Sequence, residues 1–312
     1  MRIIFMGTPE FALPSLRILL EHHYEIPAVV TAPDKPRGRG QQVQDTPVKV
    51  FALEKNVPLL QPESLNDQQF VSQLKELHPD LIVVVAFRIL PKEVFLIPKS
   101  GSFNLHASLL PKYRGAAPIN WAVINGERET GVTTFFLQEK VDTGNIVLQA
   151  RVRIGPDETA GELHDTLAEV GAEIVLQTVR LIELGKANPR RQDNAEASPA
   201  PKIFKEHCRI DWRKPAAYVH NLIRGVSPLP CAWTTHQQKI LKIYRTQIAD
   251  MKSDWKQHAK PGEIVRVDTH SMFVQTGEGV IAVREIQQEG RKHMGIEEFL
   301  RGYAFHVGDI LE

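Results

Sequence analysis

The chain has 312 residues, of which 42% are hydrophobic and 24% charged, with two cysteines and a formal net charge of +1. This length exceeds what one hydrophobic core usually organises, so a larger and a smaller domain are expected, and the composition is that of a soluble globular protein, not a disordered chain. The longest apolar run, LIVVVAF over 81–87, is far shorter than the roughly 20 residues of a membrane span, so no membrane partner is expected, and Cys208 and Cys231 form no CxxC pair that would suggest a disulfide framework or a thiolate zinc site.

Residues 2–6, RIIFM, read as a strand that is too short for the apolar core of a secretory signal, so a cytoplasmic protein is expected. Helical apolar spacing follows from Glu10 to His22, and EIPAVVT (25–31) is a second strand. Thr46 and Pro47 supply a cap and a first-turn proline for the next helix, and Asn66 starts another, DQQFVSQLKELH. The run DLIVVVAF is apolar on both faces, as in a central parallel strand covered by helices on either side. FNLH (103–106) makes the following strand, GAAPINWAVING a helix ending at Gly126, and TGVTTFFL with NIVLQARVRI a hairpin-like pair; Thr159 opens a long helix stopped by Gly185. This alternation predicts an α/β fold with a Rossmann-like open parallel sheet. Ligands of such sheets bind beyond the carboxyl ends of the strands, where His106 closes one strand and residues 87–90 follow its neighbour.

Residues 185–201 are polar and proline-rich without a period, which predicts an interdomain linker. The expected partition is a Rossmann-like domain over 1–189, a linker over 190–203 and a smaller C-terminal domain over 204–312. In the last of these, a helix around PAAYVHNLIRG precedes KILKIYRT, GEIVRV, MFVQTG and GVIAVREIQ, short strands that suggest a small barrel or sandwich, an oligonucleotide-binding-type β-barrel among them. Charge is uneven: −3 over 1–201, +4 over 202–312, and +8 within 202–260. A polyanion could dock there, although charge alone leaves open a solvated basic face with no partner.

The first strand ends in GTPEF, but a dinucleotide fingerprint needs three spaced glycines and only Gly7 is present, so Gly7–Pro9 reads as a structural turn. None of the 12 histidines lies at metal-ligand spacing with a third ligand in sight, so no metal is expected. His164 reads as an exposed or structurally bonded helix residue. Residues two apart in a strand share a face, so Asn104 and His106 project together at the end of a buried strand, either as a functional pair or with the histidine bonded to local backbone. Asp142, in VDTG, is by itself an ordinary turn residue; beside His106 it would orient the imidazole and favour its charged form. An amide, an imidazole and a carboxylate without a protein nucleophile suit a reaction whose substrate supplies the nucleophile, while the enzyme handles protons and a developing oxyanion.

These residues belong to a longer pattern. NLHASLLPKYRGAAPINWA with the downstream DTG, the opening IIFMGTPEFA, the loop PDKPRGRG and the distal KIFKEHCRIDW resemble, in order and spacing, the methionyl-tRNA formyltransferase family over most of the chain. The resemblance implies 10-formyltetrahydrofolate as formyl donor and, as acceptor and missing nucleophile, the α-amino group of methionine on initiator tRNA. It also implies Asn104, His106 and Asp142 as catalytic residues, Ser108, Leu109, Leu110 and Pro111 as part of the tetrahydrofolate site, Arg39 as a tRNA contact, and a barrel of oligonucleotide-binding type; the chain is expected to act as a monomer. Two departures stand out. AFRILP replaces a longer segment containing Tyr-Gly, with Arg88 expected to meet a surface carboxylate in preference to folate. Gln41 and Gln42 stand where basic residues often continue the loop, so fewer phosphate contacts are expected. Formyltransferases acting on sugar nucleotides or glycinamide ribonucleotide, an idle RNA-binding protein and a formate-releasing hydrolase are the alternatives; the Arg39 loop and the basic C-terminal third argue against a small acceptor.

Overall fold

The computed structural model describes residues 1–37, 42–250 and 258–312; Arg39 and Gln41 therefore lie outside the described residues. The chain forms two compact units, one of Met1–Gly115, Thr130–Val152 and His164–Pro199, the other of Ala116–Glu129, Arg153–Leu163 and Ala200–Glu312. This differs from the expected linear partition in two ways. Segments 116–129 and 153–163 join the second unit, because Ile124 is part of its apolar core, Asn120 Nδ2 donates to Gly225 O at 2.8 Å, and Ile154 N donates to Arg128 O at 2.9 Å. Residues 190–199, expected as linker, belong to the first unit. Arg190 and Ile146 exchange backbone hydrogen bonds of 2.8 and 2.9 Å, and Ser198 O accepts from Arg114 N at 2.9 Å.

In the first unit, among the described residues, seven strands form one sheet: β1 (Arg2–Gly7), β2 (Glu25–Val30), β3 (Leu59–Leu60), β4 (Leu81–Val85), β5 (Ser102–His106), β6 (Glu129–Phe136) and β7 (Ile146–Arg153), in the order β7-β6-β5-β4-β1-β2-β3. The run from β3 to β5 is parallel, and β6 pairs antiparallel with β5, so the sheet is mostly parallel. Every residue of β4 is buried, in keeping with an apolar strand covered on both faces. Gly7 ends β1 where a Cβ would lie 2.7 Å from the Ala12 side chain and 3.1 Å from Val85 O, so its smallness serves close packing.

Caps fall close to where the sequence places them. Helix α1 (Leu13–Glu21) follows a single 3₁₀ turn over Glu10–Ala12, and α2 (Pro47–Glu54) is capped by Thr46 Oγ1, which accepts from Lys49 N at 3.1 Å. The cap of α3 (Gln68–Glu76) is Asp67, one residue beyond the expected Asn66, with Oδ1 accepting from Gln69 N at 2.8 Å. After α4 (Lys92–Phe95) and α5 (Pro118–Ile124), the long α6 (Ala160–Glu183) opens on reciprocal bonds between Thr159 and Glu162, a capping box. It stops at Gly185, whose φ of 63° falls in the left-handed region that glycine enters without steric cost.

The second unit contains α7 (Ala216–Gly225), strands β8 (Ala232–His236), β9 (Lys239–Ala249), β10 (Ile264–Val267), β11 (Met272–Gln275), β12 (Val280–Gln288) and β13 (Met294–Gly295), and α8 (Ile296–Gly302). The sheet runs β8-β9-β12-β11-β10, all antiparallel, with β13 added to β12. Its two edges are joined by the end of the chain. Glu312 exchanges backbone bonds of 2.9 Å with Thr235 at the β8 edge, while Ile264 N donates to Asp309 O and Leu311 N to Gly262 O, each at 2.8 Å, at the β10 edge. That strap closes the expected barrel around a core including Trp212, Ile223, Leu241, Ile281 and Phe299. Strand β8 had no sequence signal of its own; its alternation of buried and half-buried residues follows from pairing with β9.

Candidate active site

The carboxyl edge of β5 carries the site. Asn104 pairs in register with Val84 on one side and Phe135 on the other, and His106 pairs with Thr133, so both side chains leave the same face of a strand held from both sides. His106 is 6% exposed, and Asn104 is half-buried with, among the described residues, no hydrogen bond occupying its amide. His106 Nε2 lies 2.8 Å from Tyr113 O. A carbonyl can only accept, so Nε2 carries a proton and donates it to Tyr113 O, which leaves Nδ1 free of the backbone. Nδ1 faces Asp142 Oδ2 at 3.9 Å, with the side chains 7% and 12% exposed. The local backbone bond that the sequence allowed for this histidine is present, and its other nitrogen faces a carboxylate.

Asp142 reaches the histidine from the turn between β6 and β7. Its φ of 55° lies in the left-handed region, which Asp enters more readily than most residues. Oδ2 accepts from Gly115 N at 2.9 Å, and its own carbonyl accepts from Gln192 Nε2 at 2.9 Å. The nearby Ser108 is no rival nucleophile, because it is fully buried and its Oγ donates to Lys112 O at 2.6 Å. His164 is placed as expected for a structural residue, bonded to Asp165 at 2.9 Å and edge-on to Phe11.

The segment 108–111 is a turn braced from behind. Thr133 Oγ1 donates to Ser108 O at 2.6 Å and accepts from Leu110 N at 3.1 Å, while Gln149 Nε2 donates to Leu110 O at 2.9 Å. Ser108 and Leu110 are buried, Leu110 against Phe135 and Ile146, which leaves Leu109 and Pro111 with solvent access. Arg88 does not meet the expected carboxylate. Its Nη1 donates to Glu63 O at 3.0 Å and Nη2 to Pro62 O at 2.8 Å, so it ties the segment after β4 to main-chain oxygens.

Sequence reading missed Thr133, Gln149 and Gln192. The first two sit in strands whose alternation advertises only sheet structure, and Gln192 lies in a stretch whose composition reads as linker. Among the described residues no group of His, Cys, Asp and Glu is arranged to hold a metal, and no helix is long and apolar enough to cross a membrane.

Both halves of the chain match one class of enzyme: the Formyl transferase family pattern covers residues 1–179, and that of the Formyl transferase, C-terminal domain covers residues 202–304. The chain is 48% identical, over 314 residues and 100% of both chains, to the methionyl-tRNA formyltransferase of Caldanaerobacter subterraneus subsp. tengcongensis. It is 47% identical to that of Porphyromonas gingivalis strain W83 over 313 residues, covering 97% of this chain and 96% of the relative. The chain belongs to the methionyl-tRNA formyltransferase family. Its fold is shared with WlaRD, a sugar 3N-formyl transferase solved in the presence of dTDP and 5-N-formyl-THF, at a TM-score of 0.69 and 22% identity over 94% of this chain and 99% of that one. HypX from Aquifex aeolicus, solved in complex with tetrahydrofolic acid, superposes at a TM-score of 0.66 and 20% identity, covering 100% of this chain and 50% of HypX.

Proposed function

We propose that Asn104, His106 and Asp142 carry out the reaction that belongs to this family, transfer of the formyl group of 10-formyltetrahydrofolate to the α-amino group of methionyl initiator tRNA. One observation carries this assignment: a buried histidine whose Nε2–H is spent on Tyr113 O keeps Nδ1 turned to a carboxylate, on the same face as an uncommitted amide. The donor supplies an activated formyl carbon and the tRNA-borne amine supplies the nucleophile. The Asn104 amide then donates to the formyl oxygen as negative charge develops, and a proton at His106 Nδ1 provides a second donor. Asp142, directly or through a water, accepts the proton from the attacking amine and passes it to the departing nitrogen.

The donor fits the residues at hand. Leu109 and Pro111 present apolar surface suited to a flat heteroaromatic ring, over a turn that Ser108 and Leu110 hold from within. For the acceptor, the second unit offers cations over aromatic rings: Lys202 lies 5.5 Å from the centroid of the exposed Phe204, and Lys205 and Arg209 lie 5.7 and 5.6 Å from that of Trp233. Basic side chains interleaved with aromatics suit a phosphate backbone and unstacked bases, and Arg39 extends the same chemistry to the loop.

Transfer of labelled formyl from 10-formyltetrahydrofolate to charged initiator tRNA, elongator tRNA and small amines tests the reading. Asn104→Ala and His106→Ala are each expected to lose ~10²- to 10³-fold in turnover while remaining folded. Near wild-type turnover in either would overturn the assignment, and preference for a small amine would overturn the acceptor.

A further inference from the structure

We infer that Gln192 is a positioning residue for Asp142 and that Arg114 sets the orientation in which Gln192 can act, an inference that rests on the catalytic reading of Asp142. The Asp142 turn has a left-handed residue at its centre, a conformation that L residues rarely adopt and that its surroundings must hold. Gln192 spans that turn. Its Nε2 donates to Asp142 O at 2.9 Å and to Gly144 O at 2.8 Å, one N–H to each side. Its Oε1 accepts from Arg114 Nε at 3.1 Å and Nη2 at 2.7 Å, and Nη2 also reaches Asn194 Oδ1 at 2.9 Å.

A guanidinium only donates, so Arg114 forces the Gln192 amide to turn its oxygen inward and its NH₂ towards the two carbonyls. Only an amide satisfies both neighbours. A carboxylate at 192 would keep the arginine but set an oxygen against two carbonyl oxygens. The residues flanking Arg114 complete the frame: Tyr113 O accepts from the His106 ring, and Gly115 N donates to Asp142 Oδ2. Three consecutive residues thus hold both members of the His106–Asp142 pair, two through backbone groups and one through Gln192. The site's geometry depends on a side chain from the segment that composition marks as a linker.

The test is a double-mutant cycle in the full-length protein, reading kcat and KM for both substrates. Gln192→Ala is expected to lower kcat about 10- to 100-fold, the scale of a displacement near 1 Å at a reacting group, with KM unchanged and no further loss in an Asp142→Asn background. Gln192→Glu is expected to fail in the same way although it keeps the arginine contact. Arg114→Lys, which retains the charge but not the fork, provides a second variant if Gln192→Ala does not fold, and is expected to lower kcat alone. Wild-type kcat in Gln192→Ala beside an impaired Asp142→Asn would overturn the inference, as would fully multiplicative losses in the double variant. Wild-type kcat in Asp142→Asn itself would instead remove the catalytic reading on which it stands.

Discussion

Two buried histidines divide this molecule's chemistry between its units. His106 at the end of β5 and His220 in α7 are 6% and 3% exposed, and each bonds a main-chain carbonyl through Nε2, to Tyr113 at 2.8 Å and to Pro156 at 3.1 Å. They differ at the other nitrogen. Nδ1 of His220 pairs with Thr246 Oγ1 at 3.0 Å, whereas Nδ1 of His106 faces a carboxylate at 3.9 Å. His220 also lines a cavity of about 1010 Å³ shared with Arg224, whose guanidinium is itself spent on Gly155 O at 3.2 Å and Glu158 O at 3.0 Å. Burial and a main-chain bond are thus common to both histidines, and the proposed site is set apart by a nitrogen free of the backbone beside an uncommitted amide.

The contrast is sharpest in paired substitutions. His106→Ala should lose ~10²- to 10³-fold in the turnover of the folded protein, beyond the stability cost of freeing the Tyr113 carbonyl. His220→Ala should keep the turnover of the folded protein and lose about 1–3 kcal/mol of stability through its unsatisfied partners. A large activity loss in folded His220→Ala would dissolve the distinction.

The pH dependence of stability should follow His220. Burial pushes it below the usual histidine value of 6.5, outweighing the Pro156 carbonyl and nearby Asp157 that favour its charged form. The unfolded chain therefore takes up the proton first. The stability that neutral His220 contributes is fully present above the ordinary value and is lost as pH falls from there through the lower folded value. Urea midpoints at about pH 7.5 and about pH 5.5 should drop with acidity, and His220→Gln should flatten the drop.

Arg88 extends the comparison to a cation. Arg88→Ala should cost about 1–3 kcal/mol by freeing two carbonyls and leave the KM for the folate donor unchanged; a raised KM would place the guanidinium in the site. The smallest signal is in the thiols. Burial pushes Cys231 up to about 12 and raises Cys208 above the usual thiol value, so a disulfide reagent at mildly alkaline pH should titrate neither until the chain unfolds.

What could be read in advance follows from distance along the chain. The pairing of Asn104 with His106 is a spacing of two within one strand, and the Thr46, Thr159 and Gly185 caps are equally local, so each is visible in a few consecutive residues. Asp142 was visible only through the DTG pattern, because nothing in its own turn announces a histidine 36 positions earlier. Gln192 was hidden for a related reason: polar, proline-rich composition carries no period, and residues 190–199 are held by isolated backbone pairs at Arg190 and Ser198 and by the Gln192 side chain, which no local pattern announces.

The sequence by itself determined most of the strands and helices in their chain order, the shared face of Asn104 and His106, the division of charge and the family signature, since periodicity, capping and motif spacing act over short stretches. Only the tertiary structure decided that Asp142 faces Nδ1, that Arg114 and Gln192 hold its turn, that Ser108 and Leu110 point inward, and that segments 116–129 and 153–163 belong to the second unit. Those outcomes depend on which surfaces exclude water together and which buried carbonyls must find donors, conditions met only when distant parts of the chain share one core.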